Sequence, residues 1–128
     1  MSLQTPLGKF LGLGSAKEGT HHWWSQRVTA VALVPLTLWF VAALLGMDGY
    51  THAAVVAWMA QPLNSILLIL LVVVMLHHSQ LGLQVVVEDY VHAGGLKVLI
   101  LMLSRFAHVA AGVAAVYSIV VLSVRIAN

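Results

Sequence analysis

The chain contains no cysteine. That absence excludes disulfides, thiolate-held metals and cysteine nucleophiles, and it leaves the compartment undetermined. Charge is nearly as scarce, with six Lys and Arg and four Asp and Glu among 128 residues, or 8% in all. A soluble domain carries about a quarter charged residues, so an ordinary soluble globule is excluded. The few cations are scattered, which removes the phosphate-tracking surface that a nucleic-acid partner requires. Internal repeats, low-complexity tracts and a dinucleotide-binding fingerprint are missing as well. What is present is apolar: 61% of residues are hydrophobic, and the mean hydropathy is +0.97. An integral membrane protein is the class these bounds leave.

Residues 1–26 are mixed in character and read as an N-terminal tail with a short interfacial segment at best. They lack the apolar core and small-residue cleavage site of a secretory signal. Residues 27–128 read as a membrane anchor domain with spans expected over 28–47, 63–87 and 96–124. The first charge-free run, Val28–Met47, is long enough to cross about 30 Å of hydrocarbon at ~1.5 Å per residue. Pro35 within it predicts a kink, which a membrane helix tolerates. Asp48–His52 reads as a turn, Ala53–Gln61 as a short interfacial piece, and Glu88–Gly95 as a polar exit and loop. Lys9, Lys17, Arg27 and Lys97 fall on one side of the membrane, and Arg125 alone falls on the other. The basic-residue bias therefore predicts a cytoplasmic N-terminus and a periplasmic C-terminus.

One stretch concentrates the chemistry: "HHSQLGLQVVVEDY", residues 77–90. Residues eleven apart on a helix differ by about 1100°, within about 20° of full registry, so His78, Gly82, Val85 and Asp89 share a face. The rise from His78 to Asp89 is about 16 Å, which puts the imidazole near mid-membrane and the carboxylate at headgroup level. A histidine at that depth needs a partner. It serves either as an axial ligand to haem iron or as an interhelical hydrogen-bonding group. Gly82, one turn on, leaves room for a flat macrocycle. A second ligand is available in His108, at matching depth on the third span with Gly112 beyond it, or on a partner chain.

Arg27 is placed either to pair with a haem propionate or to anchor the first span at the interface. His21 and His22 precede it with Trp23 and Trp24, an aromatic pair that suits the interfacial belt. Either histidine has a donor to offer a propionate or a quinone pocket. Tyr90 and Asp89 supply a hydroxyl donor and a carboxylate for a quinone carbonyl and its protons; the alternative is a solvated helix terminus. Arg105 either snorkels, pairs with a propionate, or marks a later start of the third span. Ala107, Ala111 and Ala115 form a small-residue ridge suited to close packing against another helix.

The run His78-Ser-Gln-Leu-Gly82 followed by Glu88-Asp89-Tyr90-Val91, together with "HHWWSQRVTA" at residues 21–30, resembles the hydrophobic membrane anchor of succinate dehydrogenase, its cytochrome b-containing D subunit. The likeness runs from about residue 21 to the end of the third span. It implies an all-α membrane protein whose three transmembrane helices form part of a heterodimeric bundle with a second anchor subunit, a b-type cytochrome known as the C subunit. It further implies one haem b shared by the two anchors, ubiquinone as substrate, and flavoprotein and iron–sulfur subunits carried at the cytoplasmic face of the cell inner membrane. Residue by residue, the resemblance assigns His78 as axial iron ligand, Tyr90 as quinone hydrogen-bond donor with Asp89 beside it, and Arg27 and His21 to the propionate region. It moves the second axial histidine to the partner chain. His77, beside His78, has no counterpart in this account, and registry with Asp89 favours His78. The chain itself would be a non-catalytic subunit. A fumarate reductase anchor and a purely structural subunit without redox cofactor are the alternative readings.

Overall fold

The computed structural model describes residues 17–127, with side-chain surroundings for residues 20–124. The readings placed on residues before Lys17, Lys9 among them, and on the Lys17 and Arg125 side chains lie outside what is described. Four helices follow one another: α1 (Lys17–Leu45), α2 (His52–Ala60), α3 (Pro62–Tyr90) and α4 (Gly94–Ala127). Three stretches are long and apolar enough to cross a membrane: Thr20–Leu45, Pro62–Tyr90 and Gly94–Val124. The chain is thus an all-α, multi-pass membrane protein, with no strand among the described residues.

Local chemistry sets the helix ends. At the α1–α2 turn, Thr51 Oγ1 accepts from the Ala54 N–H at 3.2 Å, an N-cap that starts α2. Pro62 opens α3 at a position where its missing N–H costs nothing. The buried polar residues among those described are Asn64 and Ser65. Asn64 Nδ2 donates to the Trp58 carbonyl at 2.9 Å, and Ser65 Oγ donates to the Met59 carbonyl at 2.6 Å. Ser65 thus satisfies a carbonyl at the end of α2, and Asn64 adds a second bond to the Trp58 carbonyl, which already accepts from the Gln61 N–H. Trp58 also stacks on Trp39 of α1, with ring centroids 6.0 Å apart and planes 21° apart. The piece read as interfacial is thus a short helix, tied by backbone and aromatic contacts to the spans around it.

At the opposite end, α3 runs on through Glu88, Asp89 and Tyr90, three residues past the Val87 end expected for the second span and in keeping with the register of Asp89 with His78. The cause is an intact C-terminus. The Val91 N–H donates to the Val87 carbonyl at 3.0 Å, and Lys97 Nζ reaches back to the Glu88 carbonyl at 3.0 Å. Only residues 91–93 separate α3 from α4. Helix α1 likewise starts before Val28, at Lys17. One turn ahead of the first expected span, the Arg27 guanidinium lies 5.5 Å from the Trp23 ring centroid, a cation–π contact that helical i, i+4 spacing makes possible.

Helix α3 is the centre of the assembly. Helix α1 packs on one side of it and α4 on another, α2 packs against α3 and α4, and α1 and α4 do not meet. The α1 stripe turned inward carries His22, Gln26, Thr29, Leu33 and Leu36 at helical spacing. The corresponding α4 stripe carries Ser104, His108, Gly112, Ala115 and Ile119. Ala107 and Ala111 are exposed, so most of the small-residue ridge stays open to a helix from elsewhere. The buried apolar core is thin, comprising Leu36, Leu68, Leu81, Val87 and Ile119. Large apolar side chains such as Val31, Leu38, Ile66, Phe106 and Tyr117 are exposed along the spans, as expected where lipid or another chain supplies the apolar cover.

Candidate cofactor and quinone site

His78 lies in the α1–α3 groove, not on the lipid-facing side. Its Nδ1 is 3.0 Å from Thr29 Oγ1. The same hydroxyl is 2.8 Å from the Ser25 carbonyl and 3.0 Å from the Gln26 carbonyl, both of which it can reach as a donor. Carbonyl oxygens only accept. The single hydroxyl proton is thus drawn back to the α1 backbone, and the oxygen lone pairs face the imidazole. That arrangement favours a proton on His78 Nδ1 and an unprotonated Nε2. Nε2 has no hydrogen-bond partner among the described residues. Counting from Pro62, His78 lies about 24 Å along a helix of some 43 Å at ~1.5 Å per residue, close to its middle.

Gly82 follows one turn later on the same face. A Cβ built there would meet only Gln26 Nε2, at 3.8 Å, which is ordinary contact. The packing of α1 on α3 therefore does not demand a glycine at this position. Gly112 behaves differently: a Cβ there would come within 3.3 Å of Leu76 Cδ1, tighter than ordinary contact, so the Leu76 side chain would have to give way.

His108 is engaged elsewhere. Its Nδ1 is 2.8 Å from the Ser104 carbonyl, an acceptor, so Nδ1 donates. Its Nε2 is then the acceptor for Ser79 Oγ at 3.3 Å. Nδ1 is thus spent within α4 and Nε2 on fastening α4 to α3. Ser79 confirms the depth match with His78, but it is about 100° further round α3, so the two imidazoles occupy different grooves and do not face each other. Arg105 is part of a continuous helix that begins at Gly94. It lines a recess of about 230 Å³ with Gln80, Gln84 and Ser104. Gln80 lies about 200° around α3 from His78, so this recess is separate from the His78 groove. His77 is exposed.

The remaining candidates gather at the Tyr90 end. Tyr90 is 79% exposed and Asp89 is exposed beside it. The nearby Glu88 carboxylate accepts from Gln84 Nε2 at 2.8 Å. Arg27 is exposed and stacked on Trp23. Of the two adjacent histidines, His21 is exposed, whereas His22 belongs to the stripe facing α3. His22 Nε2 is buried without a hydrogen-bond partner. Sequence spacing carried a signal for this: residues 22, 26 and 29 recur at helical period, but the signal emerges only once α1 is known to extend back to Lys17. No cluster of three metal-ligating side chains exists among the described residues. A haem iron asks less of one chain, namely a single imidazole nitrogen with room beside it. His78 Nε2 and side-chain-free Gly82 fit that requirement.

The fold and groove define a multi-pass membrane protein whose polar side chains converge between helices. A family profile described as succinate dehydrogenase/fumarate reductase transmembrane subunit matches residues 1–121, and the chain belongs to that family. Its relatives are succinate dehydrogenase membrane anchors. The hydrophobic membrane anchor subunit of Rickettsia bellii is 39% identical over 84 residues, covering 66% of this chain and 67% of that one. The corresponding subunit of Paracoccus denitrificans is 34% identical over 97 residues, covering 76% and 75%. The membrane anchor subunit of Reclinomonas americana is 30% identical over 100 residues, covering 76% and 83%.

Proposed function

We propose that this chain anchors the catalytic subunits of a succinate dehydrogenase to the cell inner membrane, binds one face of a haem b and forms one wall of the ubiquinone site. The observation that carries the reading is the state of His78: an imidazole near mid-membrane, held through Nδ1, with Nε2 unpartnered and a glycine one turn away. His78 would supply Nε2 to the iron, and a second imidazole would come from the second anchor subunit. Arg27, freed from any ion pair among the described residues, and His21 at the same membrane edge supply donors to the propionates. When bound, haem b supplies a one-electron redox centre close to the quinone.

At the cytoplasmic edge, Tyr90 donates its hydroxyl proton in a hydrogen bond to one quinone carbonyl and orients the ring. Asp89 holds water at the headgroup boundary and passes protons to the reduced oxygen. Succinate oxidation itself belongs to the flavoprotein subunit, and electrons reach the quinone through the iron–sulfur subunit; this chain contributes position and proton handling. The exposed apolar flanks, with Ala107 and Ala111 on one of them, fit a second three-span anchor chain. The N-terminus is cytoplasmic and the C-terminus periplasmic on the basic-residue bias.

The test is purification of the native complex through a tag on this chain, in mild detergent. Co-purification of a second hydrophobic chain, a flavoprotein and an iron–sulfur protein, with a b-type haem spectrum and succinate–ubiquinone activity, is the expected result. A complex that holds those partners without haem absorbance would favour a purely structural anchor.

A further inference from the structure

Thr29 makes the only side-chain hydrogen bond His78 forms with any described residue, and the haem and quinone assignment gives Thr29 itself no role. The hydroxyl sits on α1, forty-nine positions away in sequence, at 3.0 Å from the ring. Its own orientation is fixed by the Ser25 and Gln26 carbonyls behind it, at 2.8 and 3.0 Å. A hydroxyl whose proton is committed in this way acts toward the imidazole as an acceptor. We propose that Thr29 is the positioning residue for the haem ligand: it accepts a hydrogen bond from His78 Nδ1–H, fixes the tautomer that leaves Nε2 for iron, and lowers the haem midpoint potential. The inference rests on the assignment of His78 as iron ligand.

Three consequences follow from the chemistry. The wrong tautomer, with the proton on Nε2, cannot coordinate, so locking Nδ1–H removes a competing state before haem arrives. The bond also fixes the ring about its Cβ–Cγ axis, so the plane presented to the iron is set by the α1–α3 interface. Finally, an acceptor on Nδ1–H pushes electron density toward Nε2 and makes it a stronger donor. A stronger donor stabilises ferric over ferrous iron and moves the potential downward. Removing the acceptor should move it upward. Partners of this kind are typically worth about 10- to 100-fold in metal affinity.

The experiment uses the assembled complex carrying Thr29→Val, Thr29→Ala or Thr29→Ser, with His78→Leu alongside. The readouts are haem-to-flavin ratio, the reduced-minus-oxidised spectrum and the haem midpoint potential by redox titration. Val and Ala should lower haem retention during detergent washing by about 10-fold or more and shift the potential positive. Ser keeps the hydroxyl but loses the methyl group, and should restore both. Should the Val variant not assemble, the Ala–Ser pair decides the matter, because both remove the methyl and only one removes the acceptor. A potential unchanged in Ala, or shifted equally in Ala and Ser, overturns the role of Thr29, provided His78→Leu has lost its haem. Haem retained with an unaltered spectrum in His78→Leu would instead overturn the ligand assignment, and the proposal with it.

Discussion

His108 on the last span and Ser79 on the middle span are joined at 3.3 Å, one residue along from His78. Adjacent positions on one helix thus serve opposite grooves: residue 78 turns to α1 and residue 79 to α4. This division keeps the two imidazoles in separate grooves, one on the α1 side of α3 and one on the α4 side. His108 is consumed by helix packing, while His78 keeps a nitrogen in reserve.

The first prediction concerns that packing. His108→Leu should weaken α3–α4 association by about 0.6 to 1.7 kcal/mol, the range for interhelical hydrogen bonds in membranes, and Ser79→Ala should cost no more. A double-mutant cycle on unfolding in mixed micelles should show the two losses to be non-additive. Both variants should keep the haem spectrum of the complex. Loss of haem from His108→Leu in a complex that still assembles would restore this histidine as a ligand candidate.

The two interior glycines separate a cofactor constraint from a packing one. Gly112→Leu forces a side chain against Leu76 and should destabilise the chain by about 1 to 3 kcal/mol, as overpacking does. Gly82→Ala meets only the end of Gln26 and should leave stability nearly unchanged while reducing haem occupancy. The checks are micelle unfolding for the first and haem-to-flavin ratio for the second. Equal stability losses would remove the distinction.

Tyr90 is exposed, so replacing it perturbs no packing. Tyr90→Phe removes a hydroxyl and should cut succinate–ubiquinone reduction at least 10-fold, while reduction of an artificial dye by the flavoprotein is preserved. If the two activities decline together, the hydroxyl does not meet the quinone.

The spans, their number and the register linking His78 to Asp89 were legible in the sequence, because a 3.6-residue period and a shortage of charge are local properties. The extent of the helices was less so. The polarity of Glu88–Tyr90 marked the exit from the span, whereas the Lys97 contact to the Glu88 carbonyl at the helix end was not visible. Arg27 looked like a boundary, yet its stacking on Trp23 belongs to a helix already under way. Which histidine faces which helix could not be read at all. It depends on how α1 and α4 dock around α3, and Thr29 and Ser79, the residues that settle it, carry no chemical signal of their own. His22 was masked by the same uncertainty, since its inward face follows from a helix start at Lys17.

The account depends most on His78 as the iron ligand contributed by this chain. The direct measurement is the haem-to-flavin ratio and low-temperature optical spectrum of the purified complex carrying His78→Leu, compared with His77→Leu prepared in parallel. Haem should be lost, or its spectrum converted, in the first variant and preserved in the second. A native spectrum at full stoichiometry in His78→Leu would contradict the account.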